Sequence, residues 1–117
     1  MSLRKWIHFE YAVGFLVCLS FYIYLDYSIL LFVFLLLVPD IFMIGYLFSK
    51  KTGSTIYNLG HSITLPILLI LLAVLNEFPN VLMAGVIWLA HICLDRSLGF
   101  GLKYERSFKD THLQRIE

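Results

Sequence analysis

Four long apolar stretches dominate this sequence and leave few folds open to it. They cover residues 6–25, 28–48, 56–75 and 81–98. Each stretch is close to the ~20 residues that a helix needs to cross ~30 Å of hydrocarbon. Because backbone polar groups in lipid must be satisfied within their own segment, every stretch is expected to be helical. The sequence therefore predicts an all-α integral membrane protein with four transmembrane helices.

The composition favours lipid over water as the surrounding solvent. Hydrophobic residues make up 60% of the 117 residues and charged residues 15%, whereas soluble domains average about 45–50% and about 25%. A chain this short forms one domain and cannot bury so much apolar surface from water. The formal net charge is only +1, and no basic patch alternates with aromatic residues, so no nucleic-acid partner is expected.

We expect the first stretch, interrupted by Glu10, to be retained rather than cleaved as a signal peptide.

The connections and their charges predict the topology. The connections at 25–27, 49–54 and 76–80 are short, which favours an antiparallel up-down four-helix bundle. All basic residues precede the first stretch, lie in the middle connection, or end or follow the fourth stretch: Arg4, Lys5, Lys50, Lys51, Arg96, Lys103, Arg106, Lys109 and Arg115. By the positive-inside rule, both termini and the middle connection are cytoplasmic. Residues 1–117 are thus expected to form one domain integral to the cytoplasmic (inner) membrane, with a cytoplasmic tail at 99–117.

Some aromatic and sulfur-containing residues have expected structural roles. Trp6, Tyr46 and Tyr57 are expected at the inner membrane interface, where amphipathic rings accumulate. Cys18 and Cys93 lie within apolar stretches and lack C-x-x-C spacing, so they are expected to be buried as small hydrophobic residues.

Ionisable residues inside the predicted spans are the main functional signal. Each costs several kcal/mol at the bilayer centre, so such residues usually mark a functional site. With a ~1.5 Å rise per helical residue, all of them fall in the cytoplasmic half of their spans: Glu10, Asp40, His61, His91 and Asp95. The sequence therefore predicts a polar layer beneath the inner headgroups, formed by all four helices.

Part of this layer has the spacing of metal ligands. His91 and Asp95 are four residues apart and share a helix face, and imidazole with carboxylate suits zinc or a similar divalent ion. Asp40 follows the helix-bending Pro39, and His61 lies at a matching depth. We expect Asp40, His61, His91 and Asp95 to hold a divalent metal ion, with zinc preferred. The alternatives are an internal hydrogen bond between His91 and Asp95, a water-facing carboxylate of Asp40 at a helix kink, and an interhelical hydrogen bond of His61.

Two further residues are candidates for catalysis. Glu10 can act as a proton carrier, as a further metal ligand, or as the partner of a basic residue such as Arg96. Arg96 can hold a phosphate group, or it can serve as an anchor that extends to the membrane interface.

The motifs resemble those of a known group of proteins. Over nearly the whole chain, the sequence resembles a family of small bacterial membrane proteins classed as a domain of unknown function, on the basis of Pro39-Asp40, Gly45-Tyr46, Tyr57-Asn58, His61-Ser62, Pro66, His91, Asp95-Arg96, Gly99-Phe100-Gly101-Leu102-Lys103-Tyr104 and Thr111-His112-Leu113. This resemblance implies a four-span fold and no assigned activity.

A looser resemblance concerns the order of the polar motifs. Pro39-Asp40, then His61-Ser62, then His91, Leu94 and Asp95 with Gly99 is similar to the layout of membrane-bound metal-dependent hydrolases. That resemblance implies a divalent metal held by Asp and His, with hydrolysis at the membrane face. The sequence departs from those proteins at Tyr57-Asn58, where they tend to have a His-Arg pair.

The leading hypothesis is a membrane-embedded metal-dependent hydrolase that acts on a lipid or lipid-linked phosphate at the cytoplasmic face. Its expected partners are membrane lipid and a lipid substrate, and self-association into a homo-oligomer stays open. One rival is a small proton-coupled transporter that uses Glu10, although the strong basic bias between the two sides is untypical of small multidrug transporters. A second rival is a non-catalytic membrane scaffold, in which the polar layer joins the helices.

Overall fold

The computed structural model describes residues 2–38 and 49–99, and all the regular elements within these ranges are helices. They are α1 (Leu3–Tyr24), α2 (Ile29–Leu35), α3 (Lys50–His61), α4 (Thr64–Leu75) and α5 (Pro79–Ser97). The predicted all-α fold is confirmed for this part of the chain. Pro39-Asp40 and Tyr46 lie outside the described residues, as does the tail from residue 100 onward.

Serine side chains begin three of the helices. Ser2, Ser28 and Ser49 each accept a hydrogen bond from the backbone N–H three residues later, which satisfies a donor that the helix itself leaves unpaired. At Ser49 the bond comes from the Thr52 N–H over 2.9 Å. This cap starts α3 at Lys50, so most of the predicted connection at 49–54 is helical.

Residues with a left-handed backbone end the helices at the predicted turns. Asp26 (φ 61°), Glu77 (φ 55°) and Gly99 (φ 101°) each directly follow a helix C-cap. After α4, the Phe78 N–H reaches back to the Ala73 carbonyl over 2.9 Å, the bond that closes a Schellman motif. At Gly99 the φ value favours glycine, because a Cβ is strained in this conformation.

α5 is the central helix, and both α1 and α4 pack against it. Contacts between α1 and α5 run in opposite directions along the two helices, which makes them antiparallel: His8 with Gly99, Tyr11 with Arg96 and Gly14 with Cys93. Against α4, a Cβ at Gly85 would lie 2.8 Å from Ile70 Cγ1. Glycine at this position therefore allows the close approach of α4 and α5.

The apolar core lies at the end of the bundle that holds the α1–α2 turn. It consists of Cys18, Tyr22, Phe32, Val86, Ile87 and Ala90. Tyr22 is fully buried, its ring centroid lies 5.0 Å from that of Phe32, and its hydroxyl donates to the Ser28 carbonyl. The Tyr27 hydroxyl donates to the Pro79 carbonyl over 2.9 Å. This bond places the turn after α1 and the turn before α5 at the same end of the bundle.

Among the described residues, two helical segments are long and apolar enough to cross a membrane. They are Leu3–Tyr24 and Lys51–Leu75, the second of which combines α3 and α4. Only 11% of the apolar window in the first segment and 22% of that in the second are buried. Soluble proteins rarely leave such continuous apolar surface in water. The exposed helices therefore indicate a membrane protein.

Candidate metal centre

The site is built around a break between α3 and α4. Ser62 has an extended backbone (φ −84°, ψ 140°), and the chain becomes helical again at Thr64. Pro66 is one cause, because it has no N–H to offer the Ser62 carbonyl and its ring would clash with that carbonyl in a continuous helix. The Ser62 hydroxyl instead accepts from the Thr64 N–H. The break leaves His61 as the last residue of α3.

The imidazole of His61 is fixed by its own helix. Its Nδ1 lies 3.1 Å from the Tyr57 carbonyl oxygen, so Nδ1 carries the proton and donates it to that acceptor. The Tyr57 ring stacks on the imidazole with centroids 3.9 Å apart and an interplanar angle of 7°. Together these contacts leave the Nε2 lone pair directed away from α3. Tyr57 is buried against His61, so its ring packs inside the protein, and its place at the membrane interface stays a prediction.

Helix α5 supplies the other two groups of the site. His91 and Asp95 are one turn apart, and His91 Nε2 lies 3.1 Å from Asp95 Oδ2. His61 Nε2 lies 3.1 Å from His91 Nε2 and 3.3 Å from Asp95 Oδ2. Both histidines are buried, while the Asp95 side chain is 20% exposed. Three donor atoms from two sides of the α3–α5 interface therefore form a nearly equilateral triangle.

This triangle fits a small divalent ion. A tetrahedral zinc ion with ~2.1 Å bonds holds its donor atoms about 3.4 Å apart, close to the 3.1–3.3 Å separations observed here. A metal ion, or a second proton on His61, would offset the repulsion between the lone pairs of His61 Nε2 and Asp95 Oδ2, which lie 3.3 Å apart. His61, His91 and Asp95 can therefore hold a metal ion. Three protein ligands leave the fourth position open, as in catalytic zinc sites.

Two side chains of α5 hold the broken end of α3. A helix end leaves carbonyl oxygens without backbone partners. Trp88 Nε1 donates to the Gly60 carbonyl over 2.6 Å, and Arg96 Nη2 donates to the His61 carbonyl over 3.4 Å. These bonds tie the chain on both sides of the His61 Cα to the helix that carries His91 and Asp95. Trp88 and Arg96 thus fix the position of the His61 ligand.

Arg96 also joins α1 to the site. Its Nη1 donates to the Tyr11 hydroxyl, and its guanidinium carbon lies 4.9 Å from the centroid of the Tyr11 ring. The residue is 7% exposed. The alternative role of Arg96 as an anchor extending to the interface is therefore wrong, because its guanidinium turns inward to two acceptors. Its predicted role in catalysis is not tested by these contacts.

The remaining predicted site residues do not join this cluster in the part of the chain that is described. Glu10 precedes Tyr11 on α1, but its side chain is exposed and it is not part of the ligand group. Asp40 lies outside the described residues, so its role as a ligand stays a prediction. Of the predicted metal ligands, His61, His91 and Asp95 come together.

Sequence reasoning missed two supporting residues, Tyr11 and Trp88, and the stacking role of Tyr57. A signal was present for Trp88, since it lies three residues before His91 and so shares the helix face that carries the ligand. An indole N–H within an apolar span also requires an acceptor. No comparable signal pointed to Tyr11, because its contact depends on the register between α1 and α5.

Replacing Trp88 with phenylalanine tests the attachment of α3 to α5. The change keeps most of the ring but removes the N–H that reaches Gly60, and a hydrogen bond of this kind contributes about 0.5–1.5 kcal/mol. We expect the free energy of unfolding, measured in mixed micelles with a denaturing detergent, to fall by about 1 kcal/mol. Trp6→Phe is the matched control, because Trp6 is exposed and should tolerate the same change. Equal effects of the two substitutions would contradict this role of Trp88.

Comparison with protein families assigns the chain to a group without a known activity. The family described as "Domain of unknown function (DUF4260)" matches residues 4–116. The chain therefore belongs to this family, which confirms the predicted membership in a family of unknown function. Neither the curated proteins nor the solved structures contain a significant match. The likeness to metal-dependent hydrolases remains a prediction from the sequence.

Proposed function

We propose that this protein is a membrane-embedded, metal-dependent hydrolase that cleaves a lipid or lipid-linked phosphate at the cytoplasmic face of the bacterial inner membrane. The observation that carries the proposal is the triangle of His61 Nε2, His91 Nε2 and Asp95 Oδ2, with sides of 3.1–3.3 Å. The preferred ion is zinc, because two imidazoles and one carboxylate form a common ligand set of catalytic zinc sites.

The proposal includes four transmembrane helices and cytoplasmic termini. The contact between Tyr27 and Pro79 supports it, since it brings together the two turns that carry no basic residue. The contact of His8 with Gly99 brings the start of α1 to the end of α5. Basic residues flank both of those ends, as expected for the cytoplasmic side. The metal centre then lies about one helical turn from the end of α5 and about three turns from the start of α3.

The charges around the site favour an anionic substrate. A divalent ion beside the Asp95 carboxylate leaves a local charge of about +1, and the nearby guanidinium of Arg96 adds another positive charge. Within the described part of the chain, Arg96 uses two of its five N–H groups, for Tyr11 and His61, and the others can bind a phosphate oxygen. A phosphate at the headgroup level is the anionic group that a lipid membrane itself provides.

In this mechanism the residues of the chain place the reacting groups. A divalent ion in the triangle would lower the pKa of a coordinated water toward ~7 and polarise the phosphoryl group. The Tyr57 carbonyl and ring hold His61 in the tautomer whose Nε2 lone pair can bind the ion. Arg96 binds the phosphate through its remaining N–H groups. Glu10, which directly precedes Tyr11 on α1, is the proposed acceptor of the proton.

Metal analysis combined with a phosphate-release assay tests the proposal. The protein purified in detergent is expected to contain one zinc ion per chain and to release phosphate from a lipid phosphate dispersed in the same micelles. A chelator should stop the release, and added zinc should restore it. His61→Ala and His91→Ala should each lose both the metal and the activity.

Other outcomes would favour the rival functions and overturn the proposal. A folded protein without stoichiometric metal would leave the triad as a hydrogen-bonded contact between helices, as expected for a scaffold. Proton-coupled uptake into vesicles that is lost in Glu10→Gln, without phosphate release, would identify a transporter. A bound metal whose removal leaves phosphate release unchanged would contradict the hydrolytic role.

A further inference from the structure

Arg96 carries a positive charge that is buried without an acidic partner in the described part of the chain. The residue is 7% exposed, and its guanidinium donates to the Tyr11 hydroxyl and the His61 carbonyl, both of which are neutral. The neighbouring carboxylate of Asp95 is paired with the two histidines of the metal centre. Because a buried charge is costly unless an opposite charge compensates it, the surroundings of Arg96 favour an anionic ligand.

Tyr11 places a second donor beside this charge. Its hydroxyl oxygen accepts from Arg96 Nη1, and the centroid of its ring lies 4.9 Å from the guanidinium carbon. A phenolic hydroxyl both accepts and donates, and within residues 2–38 and 49–99 no acceptor takes the Tyr11 proton. A hydroxyl that accepts from a charged group also becomes a stronger donor. Tyr11 and Arg96 can therefore direct O–H and N–H groups at the same anion.

The side of α1 that holds Tyr11 adds no negative charge near Arg96. Arg4 and His8 precede Tyr11 at helical spacing on the same face, and both are half-buried. Glu10 is the one acidic residue of α1, and its side chain is exposed. Within the described helices, α1 therefore offers the guanidinium a hydroxyl and no carboxylate.

We propose that Tyr11 and Arg96 select a phosphate monoester, so that the substrate is a lipid with a terminal phosphate and not a phosphodiester lipid. This inference rests on the proposed function and narrows its substrate class. Tyr11 is a substrate-binding residue in this account, because its O–H donates to one oxygen of the terminal phosphate while Arg96 binds another.

The charge and the number of oxygens of a terminal phosphate fit this site. A divalent ion beside the Asp95 carboxylate, together with the Arg96 guanidinium, gives a charge of about +2. A phosphate monoester carries a charge of about −1.5 to −2 at pH 7 and offers three acceptor oxygens. A phosphodiester has about half that charge and one terminal oxygen fewer. The ion and Arg96 would take its two charged oxygens, which leaves the Tyr11 hydroxyl without a charged acceptor.

Binding of two lipids that cannot be hydrolysed tests the proposal on the full-length protein in detergent. The probes are hexadecylphosphonate, which has three terminal oxygens, and its monomethyl ester, which has two. We expect the wild type to bind the methyl ester at least about 10-fold more weakly, since it loses a hydrogen bond to a charged group. Tyr11→Phe should weaken binding of hexadecylphosphonate by about 10-fold and leave binding of the methyl ester nearly unchanged.

Tyr24→Phe is the matched control for Tyr11→Phe. Tyr24 ends the same helix and is 80% exposed, so loss of its hydroxyl should alter the binding of neither lipid. A purely structural role of Tyr11 would weaken the binding of both lipids equally, and that result would overturn the proposal. Inorganic phosphate is the third probe. If it binds as tightly as hexadecylphosphonate, the ligand is free phosphate and the lipid assignment is wrong.

Equal binding of the two lipids by the wild type would also overturn the proposal, and this comparison needs no variant to fold. Because the probes are not cleaved, failure of this inference can be told apart from failure of the proposed function. A preference for hexadecylphosphonate in a protein that releases no phosphate would keep the binding site and contradict the hydrolase. Phosphate release without that preference would keep the hydrolase and contradict the selection by Tyr11 and Arg96.

Discussion

Asp95→Asn is expected to remove the metal ion from the protein. The substitution keeps the size of the side chain and replaces the charged ligand, whose Oδ2 lies 3.1 Å and 3.3 Å from the Nε2 atoms of His91 and His61, by a neutral amide. Loss of a group that hydrogen-bonds to a metal ligand already weakens metal binding by ~10–100-fold, and loss of a ligand itself should exceed that effect. We therefore expect zinc affinity, measured by competition with a chelator, to fall by more than ~100-fold. Phosphate release should fall in parallel.

Asp26→Asn is the matched control for this prediction. Asp26 undergoes the same chemical change but lies in the turn after α1, where its left-handed backbone (φ 61°) is also accessible to asparagine. Zinc affinity in this variant should equal that of the wild type. If Asp95→Asn retains full zinc affinity, the carboxylate of Asp95 is not a ligand and the proposed centre is wrong.

Arg96→Met is expected to cause the largest loss of stability among the substitutions considered. Methionine can fill the space of the aliphatic part of arginine, but it leaves the Tyr11 hydroxyl and the His61 carbonyl without their donor. Hydrogen bonds to a charged group contribute about 1.5–3 kcal/mol. We expect the free energy of unfolding in mixed micelles to fall by about 2–3 kcal/mol, because both contacts of the guanidinium are lost together.

Lys51→Met provides the comparison for Arg96→Met. It removes a positive charge at an exposed position near the start of α3, and such surface changes usually stay within about 0.5 kcal/mol. Arg96→Lys should lose part of the unfolding free energy that Arg96→Met loses, since one ammonium group cannot reach both acceptors in the geometry of a guanidinium. A wild-type unfolding energy in Arg96→Met would contradict the inferred attachment of α3 and α1 to α5.

The helices could be predicted from the sequence because their causes are local. Apolar stretches of membrane-spanning length predicted α1 and α5 to within a few residues of Leu3–Tyr24 and Pro79–Ser97. The break at Ser62 was not predicted, although Pro66 was present to cause it. The reason is that a proline near the start of a helix and a proline inside one look the same in sequence. α3 begins at Lys50, earlier than the predicted stretch at 56–75, because Ser49 caps it.

The site could be predicted only in part, because its geometry combines local spacing with helix register. The pairing of His91 with Asp95 follows from their four-residue spacing. Depth in the membrane correctly associated His61 with them. Depth also suggested Glu10, whose side chain is exposed on α1, because depth carries no information on which way a side chain points. The contact of Arg96 with Tyr11 depends on the register of α1 against α5, which a single sequence does not encode in any short motif.

X-ray absorption spectroscopy at the zinc edge of the metal-loaded protein tests the central claim most directly. If His61, His91 and Asp95 bind the ion, the spectrum will show two imidazole nitrogens and at least one oxygen at ~2.0–2.1 Å. Sulfur at ~2.3 Å, or a coordination shell without imidazole, would show that any bound ion lies elsewhere in the chain.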